Sequence, residues 1–200
     1  MPGLIITIME SLIKKQMPAF FTVLIMPVMM LANEGNDIQY RFTQTDSSYS
    51  FYGSFKINSD PNCLIEISYY HEHILALAPD AKEVKLLDQG SDWNQVSYTY
   101  RKYIFFENRT VWHRKLDKDK QKVDFCLLSS ENNLGIMPRI ISSSGYYKVI
   151  NREGYLIMEY YQECELASAS LTEYYLEQMK KEAINFIHRF SEYAEEHCKQ

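Results

Sequence analysis

The chain has 200 residues, of which 46% are hydrophobic and 24% are charged, and its formal net charge is −5. A chain of this length is expected to fold as one ordinary domain, and its apolar content is sufficient for a packed core. The acidic balance and the scattered lysines and arginines argue against a nucleic-acid binder, which would carry a basic stripe.

The N-terminal region has the pattern of a targeting segment. Lys14 and Lys15 precede an uncharged apolar run over residues 17–32. A positive region followed by an apolar run and a small residue is typical of a secretory signal peptide. The run is shorter than the about 20 apolar residues that a transmembrane helix needs. We therefore expect residues 1–32 to direct export to the periplasm or the medium, with an uncleaved apolar membrane anchor as the alternative.

The first elements of the fold follow a polar stretch. Residues 33–47 show little periodicity and are predicted to link the targeting segment to a domain over residues 48–200. From Tyr49, the stretch YSFYGSFKI alternates apolar and polar residues, which predicts the first strand. Pro61 is typical of the first turn of a helix, and we expect two short helices before Pro79.

Six strands and a long helix are predicted in the rest of the chain. Alternating patterns divided by polar turns indicate the strands over residues 81–166, and the last two form a hairpin that turns at residues 151–154. Ser170 and Glu173 match the S-x-x-E capping box. They open an amphipathic pattern of about 25 residues. An antiparallel sheet with helices on one face is an α+β fold.

The cysteines leave the disulfide state open. Cys63, Cys126, Cys164 and Cys198 allow up to two disulfides in three connectivities if the chain is exported. Three of them lie in predicted apolar elements, where a free thiol behaves as a small hydrophobic group. Their spacing matches no zinc motif.

The sequence shows no catalytic or metal-binding motif. His71 and His73 would point about 200° apart on a helix, so they are predicted to lie on a solvated face and to bind no metal. No catalytic residue and no cofactor are predicted. Arg101, Arg114 and Arg139 are candidates for binding an anionic headgroup, with a surface position at a strand end as the alternative.

Tyrosine is unusually frequent, with 16 residues. Its ring is apolar, but its hydroxyl needs a partner when it is buried. A surplus of tyrosine therefore suits a pocket for a ligand that is partly polar and partly apolar, and ordinary core packing is the alternative.

Three stretches resemble the START-like superfamily, also called SRPBCC or Bet v 1-like helix-grip proteins. They are FKINSDPNCLIEISYYHEHI (55–74), SSSGYYKVI (142–150) and GYLIMEYYQECEL (154–166). Tyr147 stands where the family commonly has tryptophan, and the resemblance extends over residues 49–197. It implies a curved, seven-stranded antiparallel sheet wrapped around a long C-terminal helix, with two short helices after the first strand. It also implies a hydrophobic cavity between the sheet and that helix.

The resemblance implies a ligand-binding role, because family members bind lipids, sterols, quinones or polyketides and a minority are cyclases or related enzymes. We expect the ligand to contact inward residues of the sheet and the last helix, namely Val96, Tyr98, Tyr100, Trp112, Phe125, Tyr147, Met158, Tyr160, Met179, Ala183 and Phe186.

The main functional hypothesis is non-catalytic binding or transport of a lipid, quinone or sterol-like molecule, with contact to a membrane surface for ligand exchange. One alternative is a cyclase- or hydrolase-type enzyme that uses the same pocket, which would need a buried ionisable residue. Another is a protein-interaction module with a filled core and an exposed apolar patch. The oligomeric state is not predicted.

Overall fold

The computed structural model describes residues 37–103 and 106–198, and for residues 101–106 no side chains are described. The predicted targeting segment, residues 1–32, lies outside this part. The described chain forms eight strands, three α-helices and one 3₁₀ turn at His71–His73. The strands are β1 (Gln39–Gln44), β2 (Ser48–Ile57), β3 (Ala81–Gln89), β4 (Trp93–Tyr103), β5 (Phe106–Asp117), β6 (Lys122–Asn132), β7 (Ile140–Arg152) and β8 (Tyr155–Leu166). The helices are α1 (Pro61–Tyr69), α2 (Ile74–Leu77) and α3 (Thr172–His197).

All eight strands belong to one antiparallel sheet in the order β1-β2-β8-β7-β6-β5-β4-β3. The last strand, β8, therefore pairs with β2. From β8 to β3, the strands lie side by side in reverse chain order. The sheet is curved, and α3 packs across it against β2. The predicted α+β helix-grip fold is confirmed. None of the described helices is long and apolar enough to span a membrane.

The sheet has one strand more than the predicted seven. β1 lies inside the segment 33–47 that was predicted to be a linker, so that prediction is wrong over Gln39–Gln44. β1 is an edge strand that pairs only with β2, and Phe42, its one buried residue, stacks on Tyr49 at 5.3 Å. Tyr40 is partly buried and packs against the core on the same side as Phe42. Because the rest of this short edge strand is polar, its alternation is too weak to be recognised in the sequence.

The ends of the helices agree only partly with the sequence prediction. At α1, Pro61 occupies the first turn, and the Asp60 carboxylate accepts a hydrogen bond from the Asn62 amide at 3.0 Å. The capping box predicted at α3 is wrong, because the helix begins at Thr172, after an uncapped Leu171. The Thr172 hydroxyl instead bonds the backbone of Ala169.

The core lies where α3 packs closely against the sheet. Ile187, Phe190 and Ala194 are fully buried on the apolar face of the helix. A Cβ atom on Gly53 would lie 3.0 Å from the Ile187 side chain, so glycine at this position allows the helix to touch the strand. Phe55 packs edge-on against Phe190 with 5.5 Å between ring centroids.

A disulfide joins α1 to the end of α3. Cys63 in α1 and Cys198, directly after α3, are bonded, with their Cα atoms 5.7 Å apart and a sequence separation of 135. The Ser59 hydroxyl also donates a hydrogen bond to the Cys198 carbonyl. Cys126 and Cys164 are free thiols, the first exposed and the second buried.

Candidate ligand-binding cavity

A cavity of two adjoining lobes lies between the sheet and α3. The sheet-side lobe is about 180 Å³ and includes Tyr98, Arg114 and Tyr147 in its wall. The helix-side lobe is about 240 Å³ and includes Met179 and Ala183. The lobes share the side chains of Leu77, Ala78, Tyr100, Trp112, Tyr160, Gln162 and Phe186. A single ligand can therefore extend through both.

Strand alternation brings the wall residues together, since every second side chain points to the same face. Arg114 lies opposite Phe125 in β6, and Phe125 lies opposite Gly145 in β7. A Cβ atom on Gly145 would meet the Tyr161 carbonyl oxygen at 2.0 Å and the Phe125 ring at 2.5 Å. Because glycine has no side chain at this position, the Phe125 ring lies over β7 and borders the cavity.

The tyrosines of the last hairpin serve both faces of the sheet. On the inner face, the Tyr160 ring lies 5.0 Å from Tyr147 and 4.9 Å from Phe186. On the outer face, Tyr146 and Tyr161 stack with 5.7 Å between centroids. Only the inner rings border the cavity, so the surplus of tyrosine in this hairpin serves the cavity in part and the outer surface in part.

Nine of the eleven residues predicted to contact a ligand lie in the wall of the cavity, and their role in binding remains a prediction. They are Tyr98, Tyr100, Trp112, Phe125, Tyr147, Tyr160, Met179, Ala183 and Phe186. Val96 and Met158 border neither lobe, because both are fully buried in the packed core. Met158 lies between Phe55 and Val149 in the neighbouring strands, where side chains fill the space under the sheet.

Several wall residues escaped prediction. Tyr49 and Gln162 follow the inward alternation of β2 and β8, and Tyr175 lies one helical turn before Met179, so the periodicity contained a signal for all three. Gln162 continues a hydrogen-bond chain from the cavity: it accepts from the Tyr160 hydroxyl at 2.7 Å and donates to Ser143 at 3.1 Å.

The candidate arginines and histidines have different environments. Arg114 is buried in the sheet-side lobe, whereas Arg139 is exposed and the Arg101 side chain lies outside the described part. His73 bonds the Tyr193 hydroxyl through Nδ1 at 2.8 Å. In residues 37–103 and 106–198, no cluster of His, Cys, Asp or Glu is arranged to hold a metal ion.

Burial controls the ionisation of the cavity tyrosines. It raises the pKa above the ordinary value for Tyr98, Tyr100, Tyr147, Tyr160 and Tyr175. The positive charge of Arg114 opposes this effect on the pKa of Tyr98 and Tyr147 but does not cancel it. The hydroxyls therefore stay protonated at neutral pH, and the Tyr160 hydroxyl uses its hydrogen in the bond to Gln162.

Two buried polar atoms of the wall have no hydrogen-bond partner in the described chain. They are Nη1 of Arg114 in the sheet-side lobe and Oδ1 of Asn108 in the helix-side lobe. Buried polar groups are almost always paired in native proteins, so a polar partner inside the cavity, such as water or part of a ligand, would complete the bonding of these two atoms.

A larger depression of about 870 Å³ opens where β6 and β7 separate beyond the Cys126–Ser144 pair. Short polar side chains, such as Thr43 and Ser142, and the carboxylate-bearing Glu163 make up much of its wall. It is broad and open to solvent, and so it does not enclose an apolar ligand as the two-lobed cavity does.

No protein-family model matches the chain, and no curated protein matches it. Solved structures match at low identity. The Zhui aromatase/cyclase from Streptomyces sp. R1128 has 11% identity and a TM-score of 0.58, over 74% of this chain and 94% of that chain. A STAR-related lipid transfer protein from Xanthomonas axonopodis has 11% identity and a TM-score of 0.58, over 80% and 94%. Major latex-like protein 151 from Panax ginseng has 12% identity and a TM-score of 0.52, over 76% and 99%. The chain therefore has the START-like helix-grip fold that its sequence resemblance implied.

Proposed function

We propose that this protein binds and carries a hydrophobic small molecule, of the lipid, quinone or sterol type, in the two-lobed cavity. The observation that carries the proposal is a cavity walled mostly by aromatic and aliphatic side chains, with a few hydroxyl and amide groups and four charged side chains, those of Arg114, Asp80, Glu182 and Arg189. Removal of apolar ligand surface from water contributes about 25 cal/mol per Å². The tyrosine hydroxyls and the unpartnered polar atoms orient the polar end.

The ligand reaches the cavity by movement of α2 and the 3₁₀ turn before it. Leu77 and Ala78 border both lobes, and α2 has only four residues. Two hydrogen bonds hold this segment to α3, from Arg189 Nε to the Leu77 carbonyl at 3.2 Å and between His73 and Tyr193. So few hydrogen bonds between this segment and α3 are compatible with local opening of the segment. The exposed Leu75 offers an apolar contact to a membrane surface during ligand exchange.

An enzymatic role for the same pocket is supported by the buried Arg114 and by the likeness to an aromatase/cyclase. A proton-transfer mechanism needs an acid or base positioned at the ligand. Asp80 and Glu182 border the helix-side lobe, whereas in the described part of the chain no carboxylate or imidazole borders the sheet-side lobe around Arg114. The tyrosines there have raised pKa values and are weak acids. Binding without catalysis is therefore the preferred proposal. A protein-interaction module with a filled core fits less well, because the core contains a cavity.

Export is part of the proposal. The Cys63–Cys198 disulfide supports an oxidising compartment, because disulfides persist in periplasmic and secreted proteins and are rare in the cytosol. Together with the apolar run over residues 17–32, it favours a periplasmic or secreted protein. An N-terminal membrane anchor would hold the domain in the same compartment.

Filling the helix-side lobe is expected to block binding. In Ala183→Trp, an indole occupies the space beside Met179, and we expect the affinity for the uncharged fluorophore N-phenylnaphthylamine to fall by at least roughly tenfold, equivalent to 1.4 kcal/mol. The matched control is Lys181→Trp, which places the same side chain on the exposed face of α3. Fluorescence titration of the two variants, with circular dichroism to verify folding, measures the difference. Equal affinities in both variants would contradict the proposed site.

A further inference from the structure

Arg114 carries a buried positive charge that has no anionic partner in the described chain. Its side chain is in β5, and the residue is only 4% exposed. Nη2 donates a hydrogen bond to the carbonyl of Ser68 in the last turn of α1, and the guanidinium lies 5.9 Å from the centre of the Tyr69 ring. No ion pair joins Arg114 to a described carboxylate.

These neutral partners satisfy one side of the guanidinium only. Nη1 is buried without any hydrogen bond, while Arg114 forms part of the wall of the sheet-side lobe. Burial of a charge without pairing is strongly unfavourable. The carbonyl of Ser68 offsets part of this cost, since the C-terminal end of a helix carries partial negative charge. It leaves the donors on Nη1 to be satisfied from the lobe.

The surroundings of Nη1 favour an anion as the partner. Arg114, Tyr98 and Tyr147 all border the sheet-side lobe, so the three groups face a common space. The wall of this lobe contains no described acidic side chain that would repel an anion. Beyond the shared wall, the helix-side lobe is bordered by apolar side chains such as Met179 and Ala183, and also by Asp80 and by the Glu182–Arg189 ion pair. The unpaired buried cation of the cavity thus lies in the sheet-side lobe, and apolar surface for the rest of a ligand lies in the helix-side lobe.

Building on the proposed function, we propose that the ligand is an amphiphile with a carboxylate headgroup, which accepts hydrogen bonds from Nη1 of Arg114 while its apolar part extends toward Met179 and Ala183. A carboxylate suits this position because arginine offers it two donors in one plane, and charged hydrogen bonds are about twice as strong as neutral ones. A purely structural Arg114, which only caps α1, is the competing interpretation.

A matched pair of probes tests the headgroup. Decanoate and decanol have the same chain length and differ in charge, and both are added as competitors of N-phenylnaphthylamine. We expect the wild-type protein to prefer decanoate by roughly tenfold or more, the scale of one hydrogen bond to a charged group. Arg114→Met is expected to abolish the preference while decanol still binds. Arg139→Met removes an exposed arginine and is expected to retain the preference.

The outcomes separate the two proposals. Equal displacement by decanoate and decanol in the wild-type protein would overturn the carboxylate headgroup and leave the proposed function intact, and this comparison needs no variant that folds. A preference that survives in Arg114→Met would also overturn it and would leave Arg114 with the structural role alone. Arg114→Lys keeps the cation and is expected to retain a weaker preference for decanoate. If the fluorophore, decanol and decanoate all fail to bind the wild-type protein, the proposed function fails and the headgroup proposal fails with it.

Discussion

Replacing both Cys63 and Cys198 with serine is expected to lower the free energy of unfolding by about 2–5 kcal/mol. The disulfide closes a segment of 135 residues, and loop-closure entropy at this length gives an upper value of about 5 kcal/mol. Since 1 kcal/mol shifts the Tm of a chain of this size by roughly 2–4 °C, we expect Tm to fall by roughly 5–15 °C. Urea unfolding followed by circular dichroism measures the change.

Two comparisons make the disulfide prediction specific. Cys126→Ser changes an exposed free thiol and is expected to alter the free energy of unfolding by no more than about 0.5 kcal/mol. Wild-type protein treated with a reductant should match the double variant. A double variant as stable as the wild type would show that the link between α1 and the end of α3 does not stabilise the domain.

Raising the pH above about 10 is expected to destabilise the protein steeply, because several buried tyrosines hold their protons only in the folded state. Burial raises the pKa of the hydroxyl of Tyr49, Tyr100, Tyr147, Tyr160 and Tyr175. In the unfolded chain these groups ionise near their ordinary pKa of about 10, so the folded state binds more protons above that pH. Stability is therefore fully present below pH 10 and is lost as the pH rises toward the folded pKa values. Each such tyrosine contributes a loss of about 1.4 kcal/mol per pH unit in this window.

Tyrosine absorbance near the phenolate band, recorded together with circular dichroism, tests the alkaline prediction. We expect the exposed tyrosines to ionise first and the buried ones to ionise together with unfolding. Tyr147→Phe removes one buried hydroxyl and should move the unfolding midpoint to higher pH, whereas Tyr155→Phe, at an exposed position, should leave it unchanged. Ionisation of all tyrosines near pH 10 with the fold intact would contradict a sealed, aromatic cavity.

The parts of the fold that the sequence predicted correctly are those with strong periodicity. The α3 helix repeats apolar residues over 26 positions, and β2 and β8 alternate over most of their length, so local chemistry determines them. β1 escaped prediction because its stability comes from pairing with β2, which is a long-range property of the sheet. The N-cap of α3 was predicted one residue early, at Ser170 instead of Leu171, because the capping-box motif defines a favourable local geometry that the bonds between Thr172 and Ala169 replace.

The sequence predicted which side chains face the candidate site, but it did not predict where the cavity ends and the packed core begins. Alternation identified which side chains point inward, and this placed nine of eleven predicted residues in the wall of the cavity. Periodicity does not reveal where along a strand the packed core ends and the cavity begins, so the sequence did not distinguish Val96 and Met158 from the residues of the cavity wall. The burial of Arg114 and its hydrogen bond to Ser68 could not be predicted from the sequence, because they depend on the end of α1 lying beside β5.

The central claim, that the cavity holds a hydrophobic small molecule, is tested most directly by mass spectrometry of protein purified without detergent, first under native conditions and then after solvent extraction. We predict a reproducible added mass in the native spectrum, recovery of the same compound in the extract, and its loss from Ala183→Trp but not from Lys181→Trp. Protein that carries no added mass, and that also takes up none of a panel of lipids, quinones and sterols, would contradict the claim.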